Sequence, residues 1–169
     1  MDLDARPRWW FTPVIALALL ALLAVPAAAH IEAEPNRVEP GESATVGFLV
    51  EHGCDDSPTI KVTLKVPKGV KDVEPVEKEG WRDDVDGRTV EFEGGPLDAE
   101  TPDTFSISFT APHKTKLLSW KIVQACTDGL IRWIDTSEDA ENPPAVVAVG
   151  KDVPSHDDEA DAEEPEEGH

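Results

Sequence analysis

Residues 44–50 read Ala-Thr-Val-Gly-Phe-Leu-Val, and residues 60–66 read Ile-Lys-Val-Thr-Leu-Lys-Val. In both stretches every even-numbered residue is apolar, which is the period of two expected of a strand with one buried face. We therefore predict two half-buried strands whose even-numbered side chains, Ile60 included, face a core.

Further strands are predicted wherever short apolar or alternating runs stand between turn residues. None of these segments has the apolar stripe of a helix, and Asp128-Gly129 between two apolar runs predicts a tight hairpin. Turn signals at this spacing are typical of an all-β sandwich. The predicted strands are 89–93, 104–110, 117–124, 130–135 and 146–149, and the predicted turns include 67–69, 86–87 and 94–96.

Both ends of the chain differ from its middle. Arg6 and Arg8 precede a long apolar run that ends in Pro26-Ala27-Ala28-Ala29, so residues 1–29 are predicted to be a signal peptide cleaved before His30. An uncleaved membrane anchor is the alternative. Residues 151–169 carry nine carboxylates against one lysine, and we expect an acidic disordered tail there. The domain between them, residues 30–150, is expected in the periplasm or outside the cell.

The charge of the chain excludes one class of partner. With 35 acidic and 15 basic side chains, the net charge is −20 and no basic patch is evident in the sequence. Like charges repel, so nucleic-acid binding is excluded. Motifs of metalloproteases, α/β-hydrolases, P-loop proteins and dinucleotide enzymes are also absent from the sequence, and we do not predict an enzyme.

Two cysteines, Cys54 and Cys126, lie 72 positions apart in the predicted mature chain. In an oxidising compartment, an isolated pair in a small domain predicts one disulfide. Closing a loop of that length stabilises a fold by roughly 3–5 kcal/mol. Metal binding or redox cycling by the two thiolates has weaker support, because there is no Cys-x-x-Cys motif.

His30 is the residue that suggests a chemistry. At a mature N-terminus, histidine offers a free α-amine and ring Nδ1 to the same ion, and this amine loses its proton more readily than a lysine does. Two nitrogens with oxygen partners suit tetragonal Cu(II). Cu(I) prefers sulfur, and Met1 is the chain's one methionine. A terminal histidine left by chance is the alternative to a copper site.

A set of short motifs spread over residues 30–150 resembles the YcnI-like family of exported bacterial copper-binding domains. Several of the motifs are weak alone, but their order and spacing together are specific. The motifs are His30-Ile31-Glu32-Ala33-Glu34-Pro35, Pro40-Gly41, His52-Gly53-Cys54, Ser57-Pro58-Thr59, Val66-Pro67-Lys68-Gly69-Val70, Gly80-Trp81, Gly94-Gly95-Pro96-Leu97, Gln124-Ala125-Cys126-Thr127-Asp128-Gly129 and Trp133.

This resemblance implies an immunoglobulin-like or cupredoxin-like β-sandwich with one disulfide, and a copper site of the one-histidine-brace type. The brace would consist of His30, a carboxylate and a tryptophan over the metal, which corresponds to Trp133. The carboxylate does not transfer cleanly, and Asp103 is the first candidate, ahead of Glu100 and Glu91. Taken without the resemblance, Trp133 is a core residue.

We therefore predict an exported Cu(II)-binding protein that acts in copper handling as a chaperone, carrier or buffer. Its expected partners are the copper ion and another copper-trafficking protein, with a homodimer left open. A metal-independent scaffold or adhesion module of the cell envelope is the alternative. A copper-dependent redox enzyme that uses His30 and His52 is a third possibility, although His52 is assigned here to the disulfide corner.

Overall fold

The computed structural model describes residues 30–137, 139–151 and 153, and the predicted signal peptide and nearly all of the predicted tail lie outside them. Every regular element in this part of the chain is a strand. The described residues include no helix long and apolar enough to cross a membrane. The strands are β1 (Glu32–Glu34), β2 (Arg37–Val38), β3 (Ser43–Val50), β4 (Thr59–Lys65), β5 (Lys71–Pro75), β6 (Trp81–Asp86), β7 (Thr89–Leu97), β8 (Asp103–Thr110), β9 (Lys116–Cys126), β10 (Leu130–Trp133) and β11 (Ala145–Val149).

The strands form two sheets. The four-stranded sheet has the order β1-β3-β8-β5, and the seven-stranded sheet has the order β2-β11-β9-β4-β7-β6, with β10 also paired to β9. All pairs are antiparallel except that of β2 with β11. The expected β-sandwich is therefore confirmed.

The core lies between the two sheets and is rich in aromatic rings. Trp120 of the seven-stranded sheet packs against Phe48 and Phe109 of the other sheet, with ring centroids 5.2 and 5.3 Å apart. Phe92 and Phe105 form a similar pair at 5.4 Å. Tilted pairs of this kind add about 0.5–1.5 kcal/mol each beyond the burial of their area.

The prediction that Ile60 faces the core was wrong. The pairing of β4 with β7 and with β9 shifts between Thr59 and Lys61, which leaves Ile60 in a bulge. Ile60 is 38% exposed, whereas Thr59 is 1% exposed. A bulge adds one residue to one strand, so the side chains before it change faces.

Four edge strands, β1, β2, β5 and β6, and one extension escaped the sequence patterns. The strands β5 and β6 are mostly exposed and rich in charge, as suits sheet edges that must not pair with other chains. The predicted turn at 94–96 lies instead within β7. A Cβ at Gly94 would come 2.3 Å from the carbonyl oxygen of Gly80, so glycine there allows β7 to approach the neighbouring turn.

The predicted disulfide and hairpin are both present. Cys54 and Cys126 are bonded, with Cα atoms 6.0 Å apart, and the bond ties the segment after β3 to the end of β9. In the hairpin between β9 and β10, Cys126 donates its N–H to the carbonyl of Gly129. The disulfide thus holds the same corner of the sandwich that the hairpin shapes.

We expect the Cys54→Ser/Cys126→Ser variant to lose about 3–5 kcal/mol of unfolding free energy, because its unfolded chain is no longer constrained by a long closed loop. Chemical denaturation of the oxidised protein and the variant measures the difference. The wild-type protein in reductant serves as the control and should match the variant. Equal denaturation midpoints for oxidised protein and variant would contradict the prediction.

Candidate metal centre

His30 lies two residues before the start of β1 and is half-buried. It lines a cleft of about 470 Å³ between the start of β1 and the segment that leads into β11. One wall is formed by Pro143, Pro144 and Ala145, and Leu49 and Thr104 lie on the side of the four-stranded sheet.

Two carboxylates share this cleft with His30. Ile31, just before β1, and Ala33 within it are buried, whereas Glu32 and Glu34 are exposed, and all four residues line the cleft. Neighbouring residues of a strand point to opposite faces, so the two glutamates project on one side of β1. They lie opposite Leu49 and Gly47 of β3. The sequence itself places His30, Glu32 and Glu34 at alternate positions. This spacing could have suggested the two glutamates as ligands, but they were not among the candidate carboxylates.

The first candidate carboxylate, Asp103, already has a partner. Its Oδ1 accepts a hydrogen bond from Lys78 Nζ at 2.6 Å, and Lys78 also donates to the carbonyl of Thr104. Asp103 does not line the His30 cleft, although the next residue, Thr104, does. Successive residues of β8 face opposite ways, so the two side chains leave opposite faces of the sheet. The assignment of Asp103 as a ligand stays a prediction.

The other two carboxylates considered also lie away from the cleft. Glu91 of β7 accepts a hydrogen bond from Lys61 Nζ at 3.2 Å, and this bond raises the pKa of Lys61 above its usual value. Glu100 is exposed in the segment before β8. Neither of them lines the His30 cleft.

Trp133 is 2% exposed and belongs to the core. Its Nε1 donates a hydrogen bond to Gln124 Oε1 at 3.2 Å. β10 and β11 pair with the same edge of β9, where Trp133 lies opposite Ile122 and Ala145 opposite Trp120. These two positions of β9 are two residues apart. At about 3.3 Å per residue, the backbone of Trp133 therefore lies roughly 7 Å along the strand from Ala145 in the cleft wall.

Gln124 is the buried polar residue that the sequence patterns missed. It is fully buried, and its Nε2 donates to Thr59 Oγ1 at 2.7 Å and to the carbonyl of His52 at 2.6 Å. Its amide therefore joins β4, the disulfide corner and Trp133 into one network. The His52 ring lies beside this network, with its centroid 6.3 Å from that of Trp133 and its Nδ1 2.7 Å from the Gly53 carbonyl oxygen.

The ligand set expected for a brace is only partly assembled. Across residues 30–137, 139–151 and 153, no group of three or more His, Cys, Asp or Glu side chains is arranged to hold a metal ion. The backbone nitrogen of His30 becomes an amine only when the bond before it is cut. A cleft that combines His30 with the exposed Glu32 and Glu34 nevertheless offers nitrogen and oxygen donors, the combination that suits Cu(II).

Comparison with solved structures confirms the fold. A protein from Nocardia farcinica, described as uncharacterized with an immunoglobulin-like fold, matches with a TM-score of 0.63 and 18% identity over 73% of this chain and 99% of its own. A type I cohesin from Pseudobacteroides cellulosolvens matches more weakly, with a TM-score of 0.46 and 12% identity over 74% of this chain and 94% of its own. No curated protein matches the sequence.

The sequence of the folded domain identifies the family to which the chain belongs. The family model described as a domain of unknown function, DUF1775, matches residues 30–91 and 84–149, which together span the sandwich from His30 to the end of β11. YcnI-like domains belong to this same family, so the resemblance in the short motifs is confirmed at the level of the family. The chain therefore belongs to the DUF1775 family.

Proposed function

We propose that the mature chain is an exported Cu(II)-binding protein that acts in copper handling through His30. The observation that carries the proposal is the position of His30 in a cleft shared with Glu32 and Glu34. Once the bond before His30 is cut, its α-amine and imidazole supply two nitrogens, and an exposed carboxylate from β1 completes the set. These donors match the preference of Cu(II) for nitrogen and oxygen ligands.

The role of the protein follows from how open this site is. Glu32 and Glu34 are exposed, so an incoming ligand from another molecule reaches the ion by replacing a carboxylate. Such exchange suits a chaperone, carrier or buffer that passes copper to another copper-trafficking protein. Trp133 lies in the core near the cleft wall, where it serves as a fluorescent reporter of bound copper.

The first experiment is a Cu(II) titration of protein that begins at His30, beside a version with one added alanine before it. We expect one equivalent of copper to quench tryptophan fluorescence and give a nitrogen-rich EPR spectrum. The extended version should lose both signals, because its His30 nitrogen remains a peptide amide. Identical behaviour of the two versions would refute an amine-dependent site.

A second experiment separates the two sources of the carboxylate. We expect Glu32→Gln/Glu34→Gln to weaken Cu(II) affinity at least tenfold, a loss of about 1.4 kcal/mol. Asp103→Asn should leave affinity within a factor of two, since Asp103 is paired with Lys78 and does not line the cleft. Competitive titration with a chelator of known affinity measures all variants.

Glu39→Gln/Glu42→Gln is the matched control for the two lost surface charges, because Glu39 and Glu42 are exposed in the turn before β3 and do not line the cleft. The reverse pattern, with Asp103→Asn impaired and the glutamate pair unaffected, would show that Asp103 leaves Lys78 to bind copper.

The alternative is a metal-independent module of the cell envelope. It is favoured by the partners that Asp103 and Trp133 already have and by the lack of a preassembled ligand group among the described residues. If it is correct, Cu(II) changes neither the melting temperature nor the fluorescence of protein that begins at His30.

A further inference from the structure

Charge is distributed unevenly over this acidic protein. Residues 30–150 carry a net charge of −12, and residues 151–169 add −8 in only 19 positions. Even so, a group of cationic side chains gathers at one end of the sandwich. We call this group the basic end, and it consists of Lys65, Lys68, Arg88, Lys114 and Lys116.

Three turns meet to form the basic end. Lys116 Nζ donates a hydrogen bond to the carbonyl of Lys68 at 3.3 Å, which joins the turn after β8 to the turn after β4. Arg88 Nη2 donates to the carbonyl of Val66 at 3.0 Å, which adds the turn between β6 and β7. A Cβ placed on Gly69 would lie 3.3 Å from Pro112, so the first two turns are in close contact.

The five cations of the basic end form no salt bridge within the described residues, although exposed Glu42 and Asp86 lie in or beside turns at the same end. Within residues 30–137, 139–151 and 153, none of the five basic side chains has a carboxylate oxygen within 4.0 Å. Elsewhere on the domain, Lys61, Lys78 and Arg82 each pair with a carboxylate, whereas Lys71, Lys121 and Arg132 form no salt bridge within the described residues. Four of the five basic side chains are exposed, and Lys116 is half-buried.

The acidic segment leaves the domain at this same end. Val149, the last residue of β11, lies opposite Lys116. A Cβ at Gly150 would come 2.7 Å from Thr115, in the turn that carries Lys114. Arg37 Nη1 then donates to the carbonyls of Gly150 and Val153, at 2.5 and 2.7 Å, so the chain is held against the domain as far as Val153.

We propose that residues 154–169 dock on the basic end of their own domain and screen it from other polyanions. A flexible segment of ten residues spans roughly 18 Å on average, which is enough to reach across the adjacent turns. Tethering gives such a segment an effective concentration in the millimolar range. An anionic molecule from outside must compete with a polyanion that is already attached beside the site.

Zero-length carbodiimide cross-linking of the full chain, followed by peptide mass spectrometry, tests the docking. We expect cross-links from carboxylates of residues 154–169 to Lys68, Lys114 and Lys116, and a severalfold loss of them in about 0.5 M salt, where surface charges are screened. The Lys61–Glu91 and Lys78–Asp103 pairs provide internal positive controls, at 3.2 and 2.6 Å. Mixing isotope-labelled and unlabelled protein distinguishes cross-links within one chain from those between two chains.

Charge variants test whether the cations of the basic end hold residues 154–169. Lys68→Gln/Lys114→Gln removes two exposed charges of the basic end, and Arg132→Gln removes an exposed charge about seven positions further along β9 than Lys116. Lys116 cross-links to residues 154–169 should fall severalfold in the first variant and stay unchanged in the second.

Three results would overturn the proposal. The first is tail cross-links distributed evenly over Lys61, Lys78 and the basic end. The second is cross-links to the basic end that form only between chains, which would make the occupant a second copy. The third is retention of the protein on anionic vesicles or polyphosphate with the tail in place, since the basic end would then be open to external polyanions.

Discussion

The antiparallel pairing of β9 with β4 on one side and with β10 and β11 on the other is the constraint on which the rest of the structure depends. The eleven residues of β9 run the length of the seven-stranded sheet and place Trp120 in the aromatic core. The same strand carries Cys126 at one end and Lys116 at the other. Through β11 it also sets the wall of the His30 cleft, so the core, the disulfide and the cleft share a single strand register.

Near the C-terminal end of this strand lies the Gln124 side chain, which is fully buried and makes three hydrogen bonds. An unpaired amide at such a position would cost about 1–3 kcal/mol per group, so a buried polar network is stable only when every member has a partner. Here the partners come from Thr59, His52 and Trp133. Because each partner belongs to a different segment, the amide fixes the relative position of those segments more specifically than apolar packing does.

The sequence predicted well those features that depend on local patterns. Period-two alternation found the central strands, Asp128-Gly129 found the hairpin, and the isolated cysteine pair found the disulfide. Ile60 was misplaced because a bulge depends on pairing with two other strands, which no local pattern contains. The charged strands β5 and β6 were missed because strands at a sheet edge need no continuous apolar face.

The candidate site was less predictable than the fold. The sequence singled out His30 for its chemistry, but the cleft beside it and the pairing of Asp103 with a lysine 25 positions away emerge only from the fold. The placement of His30 has a consequence for how a ligand site could form at a chain end. Terminal residues ordinarily fray, but β1 begins its pairing with β3 at Glu32, only two positions after His30. Ordering a residue's backbone costs about 1–2 kcal/mol, so in a chain cut before His30 folding would already meet most of the entropy loss of fixing that end, and a bound ion would have to immobilise little more than one free residue.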